Sequence, residues 1–214
     1  MDYSIFRQVR SLGLGRPGSE VPQGYGGCTV KNGALIFAAK AGENPQPNIQ
    51  RSEAAGFALP SFGHWRIRMA FNIPQFFAQE CAILSLSAQA DADDIGMHNA
   101  PLSFYVQGNT LHCVKRHDPL RRSVGQVEAT TLGAAQFVHG RDLVLDVSVN
   151  LTWGDSGYVH AMLTDSGGFS PRRVAADHGG NCYNDIAPPF PCLGVYSWVA
   201  GDPLEMRVNE FTVS

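Results

Sequence analysis

Charged residues are scarce in this chain: they make up 16% of its 214 residues, and the formal net charge is −3. A chain so close to neutral has no general attraction for nucleic acid or anionic membranes, so neither is expected as a partner. No apolar run approaches transmembrane length, and the first residues lack the basic start and apolar core of a secretory signal. We therefore expect a protein that is cytoplasmic as made, or that is exported or carried on a virion by another route.

Cysteine is sparse as well, and its spacing argues against a disulfide framework. The five cysteines are widely scattered and include no C-x-x-C pair: Cys28, Cys81, Cys113, Cys182 and Cys192. An odd number of dispersed cysteines is typical of reduced, buried thiols, and that state is expected here. A single bridge between Cys182 and Cys192 stays open as an alternative.

The sequence patterns of several enzyme classes are missing. There is no G-x-S-x-G elbow of a hydrolase, no E-x-D-x-x-E pattern of a two-carboxylate glycoside hydrolase, and no glycine-rich phosphate loop before a helix. An acidic segment at Asp91, Asp93 and Asp94 has the oxygen ligands that Ca²⁺ takes. It lacks a regular ligand spacing, so a solvated loop is expected instead. No metal ion or other cofactor is expected.

What the chain does contain is alternation of apolar and polar residues, which is typical of strands. In residues 65–73 one face carries only apolar side chains: Trp65, Ile67, Met69, Phe71 and Ile73. The same period predicts strands at residues 34–39, 82–88, 102–114 (a hairpin), 142–153, 158–164, 193–199 and 204–213. No segment has the pattern of a long amphipathic helix. The sequence therefore predicts one all-β domain, residues 1–214, built as a two-sheet antiparallel jelly-roll sandwich.

Turns and irregularities can be placed on this pattern. The hairpin is expected to turn at Gln107-Gly108-Asn109, and a slip of phase near Asn209-Glu210 predicts a β-bulge. Three long connections remain, at residues 40–50, 88–100 and 165–191. Structureless stretches of this length are uncommon and often functional, so the last is expected either to cover a groove or to be a surface excursion.

One short motif carries the strongest hint of chemistry. Arg51 and Glu53 are two residues apart on an extended segment, so their side chains point to the same face. On a solvated face they would form an ordinary ion pair that contributes little stability. In the groove of a curved sheet, the same pair would present an arginine to a ligand carboxylate or to sugar hydroxyls.

Three motifs resemble those of the concanavalin A-like jelly-roll polysaccharide lyases, the broad group of alginate, glucuronan and heparin lyases. The motifs are Arg51-Ser52-Glu53, the segment Gly140-Arg141-Asp142-Leu143-Val144, and the late strand that ends Gly194-Val195-Tyr196. The resemblance spans most of the chain. It implies a jelly roll with a polysaccharide groove, and it places the arginine of the first motif in that groove.

The resemblance is incomplete at the residues that perform the chemistry. Alginate lyases use an arginine, a Gln-x-His pair on one strand and a tyrosine at the start of the late strand. The strand that would carry Gln-x-His has Ser85 and Ser87, and neither can replace an imidazole. Phe190 stands where the tyrosine would be, and Cys192 stands where the motif has lysine. The likeness therefore does not carry over an alginate-type mechanism.

Other residues are candidates for the missing roles. A lyase must neutralise a uronate carboxylate, remove the C5 proton and protonate the leaving oxygen. We assign these steps to Arg51, His112 as base and Tyr196 as acid. Aromatic rings stack on sugars and arginines pair with uronates, so Glu53, Arg66, Arg68, Tyr105 and Trp198 are expected to bind an acidic polysaccharide.

Two further classes of function fit the same sequence. The chain can be a non-catalytic carbohydrate-binding module, such as a phage or cell-surface attachment module. It can also be a structural β-sandwich that self-associates and binds no sugar. Cleavage of a polymer would distinguish a lyase from both alternatives. Binding of a glycan would distinguish a carbohydrate-binding module from a structural sandwich.

Overall fold

A computed structural model describes residues 28–42, 48–55, 58–88, 99–120, 127–166 and 170–214. In these ranges the regular structure consists of thirteen strands. In chain order they are β1 Cys28–Lys31, β2 Ala34–Ala39, β3 Gln50–Ala55, β4 Gly63–Asn72, β5 Cys81–Ser87, β6 Leu102–Gln107, β7 Thr110–Lys115, β8 Thr130–Gln136, β9 Asp142–Leu151, β10 Tyr158–Asp165, β11 Arg172–His178, β12 Phe190–Ser197 and β13 Leu204–Val213. Within the described ranges, no helix has the length and apolar character needed to cross a bilayer.

The strands form two antiparallel sheets that pack as a sandwich. One sheet has seven strands in the order β1-β2-β13-β4-β9-β10-β11, and the other has six in the order β3-β12-β5-β6-β7-β8. Five of the eleven neighbouring pairs join strands that are not consecutive in the chain, as in a jelly roll: β2–β13, β13–β4, β4–β9, β3–β12 and β12–β5. The two-sheet jelly-roll sandwich predicted from the alternation is confirmed.

The core lies between the sheets and follows the predicted period. Ile67, Met69 and Phe71 on β4 are almost fully buried, whereas Arg66 and Arg68 between them are exposed. The hairpin turn at Gly108 is confirmed, since β6 pairs with β7 across it and Gly108 has a φ of +58°. The bulge predicted near Asn209-Glu210 is confirmed too: the register of β13 against β4 shifts between Val208 and Glu210.

Three strands were not predicted, namely β1, β8 and β11. The third changes the view of the connection at residues 165–191, because β11 lies inside it and forms the edge of the seven-stranded sheet. Alternation is weak there, since Val174 and Ala175 are both buried and the pairing with β10 shifts register between Ala161 and Met162. The expectation that the whole connection lacks regular structure is therefore wrong.

All five cysteines are free and buried, so the alternative of a Cys182–Cys192 bridge is wrong and the expectation of reduced thiols is confirmed. Burial raises the pKa of the Cys28 thiol to about 11 and the pKa values of Cys182 and Cys192 to about 12. It raises those of Cys81 and Cys113 further. The thiols are therefore protonated at neutral pH and poorly nucleophilic.

This burial predicts a large difference in thiol reactivity between the folded and unfolded protein. With a thiol-specific reagent at neutral pH, the native protein should react very slowly, and denaturant should expose all five cysteines to rapid labelling. Mass spectrometry of the labelled protein gives the count. A native protein that labels quickly at any cysteine would contradict the burial described here.

Candidate functional site

The two outer faces of the sandwich differ sharply in exposure. On the seven-stranded sheet, Arg68 and Asp146 are 46% and 48% exposed. On the six-stranded sheet, several polar outward-facing residues are buried: Tyr105 is 7% exposed, Ser85 is 8% exposed and Ser103 is fully inaccessible. Buried polar side chains on an outer face are unusual, because that face normally contacts water. The outer face of the six-stranded sheet is therefore the candidate site.

One row of residues crosses this face from strand to strand. Directly paired Cα positions run from Arg51 on β3 to Tyr196 on β12, Ala82 on β5, Tyr105 on β6 and His112 on β7. All five lie outside the core cluster between the sheets. We call these five residues the Arg51 row. It contains the three residues assigned to catalysis from the sequence, which therefore share one face.

Arg51 is held by its neighbour two residues along the strand. Its Nε donates to Glu53 Oε2 at 2.5 Å, which confirms that the two side chains point to the same face. Its Cζ lies 5.3 Å from the centre of the Tyr196 ring, as in a cation–π contact. The attraction of Glu53 raises the pKa of Arg51 although burial opposes it, so the guanidinium is charged at every pH of interest. Neither Nη atom has a protein partner among the described residues.

Aromatic rings occupy the middle of the row. Trp198, which follows β12, packs edge-on against Tyr105 with ring centres 5.5 Å apart and against Tyr196 at 6.0 Å. Ala82 lies between those two tyrosines in the row, and its small side chain leaves space between their rings. Trp198 is 42% exposed, so its ring contributes apolar surface that a ligand can contact.

Hydrogen bonds fix the turn that carries Trp198. Ser197 Oγ donates to the carbonyl of Val199 and accepts from its N–H. The buried Gln50 accepts from Gly201 N at 2.7 Å and donates to Asp202 O at 3.0 Å. Because the chain on both sides of Trp198 is anchored, the position of its ring is set before any ligand binds.

Burial raises the pKa of Tyr196, and the carboxylate of Glu53 adds to the effect while Arg51 opposes it. The phenol is therefore protonated at neutral pH and can donate a hydrogen bond or a proton. Its hydroxyl, the Tyr105 hydroxyl and the His112 ring have no hydrogen-bond partner among the described residues. The row thus offers several polar groups whose partners must come from water or a ligand.

A second row of small residues lies beside the first, and sequence reasoning did not assign it to the site. Cys192 on β12 pairs with Ser85 on β5, which pairs with Ser103 on β6. The Ser103 Oγ is buried without a partner, and Ser87 Oγ contacts Cys192 Sγ at 3.5 Å. The signal was available for Ser103, because it has the same strand phase as Tyr105.

The segment after β11 closes one end of the sheet. Tyr183 is buried, forms an isolated bridge with Asp118, and donates from its hydroxyl to Asn99 O at 2.9 Å. Burial raises the pKa of Tyr183, so this phenol also stays protonated. Tyr183 thus anchors this part of the 165–191 connection to the residues just before β6 and just after β7.

Arg66 and Arg68 do not join the Arg51 row. Both lie on β4 in the seven-stranded sheet, and Arg68 binds Asp146 through Nη1 at 2.8 and 2.9 Å. The prediction that they lie beside Arg51 is wrong, because they lie on the opposite face of the sandwich. Alternation shows that they point away from the core, but a sandwich has two outer faces and the period does not distinguish them.

The row also sets distances between the candidate catalytic residues. Arg51 and Tyr196 are on adjacent strands, whereas Arg51 and His112 are four strands apart, roughly 19 Å between Cα atoms at the usual strand spacing. Asp91, Asp93 and Asp94, the candidate calcium ligands, lie outside the described residues. Within the described ranges, no cluster of three or more His, Cys, Asp or Glu side chains is placed to hold a metal ion.

The chain matches no known protein-family profile and no curated protein. Solved structures do share its fold. An endo-β-1,4-glucuronan lyase from the fungus Trichoderma reesei is 16% identical, with a TM-score of 0.73 over 96% of this chain and 93% of that one. An alginate lyase of polysaccharide lyase family 7 is 10% identical, with a TM-score of 0.59 over 99% and 97%.

Part of a toxin binding domain also shares the fold of this chain. The binding domain of botulinum neurotoxin DC, solved in complex with SialylT, is 8% identical, with a TM-score of 0.55 over 88% of this chain and 41% of that one. At such identities a structural likeness establishes the fold. The chain has the two-sheet jelly-roll sandwich that the polysaccharide lyases share with this toxin domain.

Proposed function

We propose that this protein binds an acidic polysaccharide across the outer face of the six-stranded sheet. The observation that carries the proposal is the Arg51 row, which brings an arginine, two tyrosines and a histidine onto one face with polar groups that have no partner within the described structure. Such groups can bind a ligand without first breaking bonds within the protein, and the Ser103 Oγ beside the row is buried without any partner. Polysaccharides present the hydroxyls and carboxylates that such groups bind.

The geometry supports a distinct role for each part of the row. Glu53 accepts a hydrogen bond from the Nε of Arg51, so the two Nη atoms remain available to bind a uronate carboxylate. Trp198 and the two tyrosines offer ring surfaces on which sugar rings can stack. The lyases of the same fold support an acidic polymer as the ligand, since the neighbours include glucuronan and alginate lyases.

A second candidate function is β-elimination at the same face. It is favoured by the position of Tyr196 beside Arg51, because the elimination needs a proton donor close to the group that neutralises the carboxylate. Burial keeps the Tyr196 phenol protonated, so it is suited to protonate the leaving oxygen. In this mechanism the C5–H and C4–O bonds break, a C4–C5 double bond forms, and Tyr196 supplies the proton to the leaving oxygen.

The base in this mechanism is better assigned to Tyr105 than to His112. His112 is four strands from Arg51, so it can act only on a sugar distant from the one whose carboxylate Arg51 holds. Tyr105 is one strand closer to Arg51 than His112 is, and its ring and that of Tyr196 both contact Trp198. We therefore assign His112 to a neighbouring sugar and Tyr105 to the C5 proton; Tyr105 accepts that proton as the phenolate, after its own proton has been lost to solvent.

The elimination makes a kinetic prediction for Tyr196→Phe. The variant keeps the ring and its contacts but loses the proton, so the rate of unsaturated-product formation should fall by roughly 10²–10⁴-fold, the usual contribution of general acid–base catalysis. Affinity for the polymer should change by only a few-fold. The product is followed by its ultraviolet absorbance, and affinity by electrophoresis in gels that contain the polymer.

The outcomes separate the two functions. If the wild type gives no unsaturated product from alginate, glucuronan, heparin or xanthan but binds one of them, elimination is excluded and binding stands. If Tyr196→Phe cleaves at the wild-type rate, the assignment of Tyr196 as acid is excluded. Tyr105→Phe is the matched variant for the base, because it removes one hydroxyl from the same aromatic cluster.

A further inference from the structure

The distribution of charge on the two sheets is unequal. The six strands of the sheet that carries the Arg51 row contain only three permanently charged side chains: Arg51, Glu53 and Lys115. By contrast, the seven-stranded sheet carries charged residues of both signs. They include Arg66, Arg68, Asp146, Glu205, Arg207 and Glu210. The candidate site is thus on the less charged of the two sheets.

Of these three side chains, only one offers positive charge to the face. Lys115 binds Asp177 of β11, in the opposite sheet, through Nζ at 2.5 Å. Glu53 partly neutralises Arg51. The remaining outward positions are uncharged, with serines at 85, 87 and 103, glutamines at 107 and 136, and the aromatic residues of the row.

This charge pattern limits which polymer the face can accommodate. The Arg51 row spans on the order of 19 Å, a length that several sugars occupy. A polymer with a carboxylate on every sugar would bring several anions onto this face, and Arg51 is the one guanidinium that the strands of this sheet present to them. The unpaired carboxylates would be desolvated on a surface of low exposure, which costs free energy.

From this balance we infer that the face recognises a mainly neutral glycan chain with isolated uronates, and that it disfavours a homopolyuronate. One uronate binds Arg51, and neutral sugars lie on the rings of Tyr196, Trp198 and Tyr105. The inference rests on the proposed binding function and specifies the substrate class of the same site. It departs from the homopolymer named for the glucuronan lyase of the same fold.

The test compares polymers of different charge spacing on the wild-type protein. Xanthan and glucuronoxylan carry uronates separated by neutral sugars, and alginate and glucuronan are homopolyuronates. We expect at least one of the first pair to bind roughly tenfold or more tightly than either of the second. Reduction of the carboxylates of that polymer should lower its affinity for the wild type about as much as Arg51→Ala lowers the affinity for the intact polymer. The Arg51→Ala variant should bind the intact and the reduced polymer equally well.

Salt provides an independent readout. Because a single ionic contact supplies the electrostatic part of the binding free energy, added salt should weaken binding of the sparsely charged polymer only slightly. Tighter binding of alginate or glucuronan, with a steep loss in salt, would overturn the inference and leave the proposed function standing. Undiminished binding of the carboxyl-reduced polymer would also overturn it. If none of the four polymers binds, the proposed function itself fails, and this inference with it.

Discussion

Replacing Arg51 with alanine is expected to lower affinity for the acidic polysaccharide by at least roughly tenfold. The variant loses the Nη pair that meets the uronate, and hydrogen bonds to charged groups contribute about 1.5–3 kcal/mol each, where 1.4 kcal/mol is a factor of ten. Arg51→Lys should recover only part of the loss, because an ammonium cannot bind a carboxylate in the bidentate geometry. Isothermal titration calorimetry with a bound oligosaccharide measures each change.

Two controls separate a binding role from a structural one. Arg68→Ala removes an exposed, ion-paired arginine from the opposite face and should leave affinity unchanged. Arg51→Ala also leaves Glu53 without its partner on a buried face, so the double variant with Glu53→Gln should regain stability but not affinity. Equal losses in Arg51→Ala and Arg68→Ala, or no loss in Arg51→Ala, would contradict the assignment of the face.

Replacing Gly194 with alanine is expected to destabilise the fold by about 2–5 kcal/mol, through backbone strain and a forced shift of packed strands. Gly194 has a φ of +146°, and an added Cβ would lie 2.1 Å from the carbonyl oxygen of Ser52 on β3. Gly194 pairs directly with Glu53, so the displaced strand is the one that carries Arg51. Chemical denaturation measures the loss.

Gly63→Ala is the matched control for this variant. Gly63 also lies in a strand with positive φ, +118°, but an added Cβ would have no neighbour within 4 Å. Its variant should show the cost of the backbone conformation alone, and Gly194→Ala should cost clearly more. Equal losses in the two variants would mean that the close approach of β12 and β3 is not what requires glycine.

Local pattern was sufficient to predict much of the sandwich. Strands such as β4 and β9 have strict alternation, because one face of each packs in the core and the other contacts water. The strands that were missed lack this contrast. The β8 sequence, TTLGAAQ, contains mostly small or polar residues, and Gly133 is required there because an added Cβ would lie 2.4 Å from the carbonyl oxygen of Val174.

The candidate site was predictable only in part, for a different reason. Arg51 and Glu53 are two residues apart on one strand, so their shared direction follows from the local period. The placement of Arg51, Tyr196, Tyr105 and His112 in one row depends on the pairing order and register of five strands, which no local pattern encodes. The same missing information put Arg66 and Arg68 on the wrong face.

The most direct test of the account is to map a bound oligosaccharide by NMR on isotopically labelled protein. The proposed function predicts chemical-shift changes centred on Arg51, Tyr196, Tyr105 and His112, together with the indole N–H of Trp198. The outer face of the seven-stranded sheet around Arg66 and Arg68 should stay unchanged. Shifts centred on that opposite face, or shifts spread evenly over the molecule, would contradict the claim that the Arg51 row is the binding site.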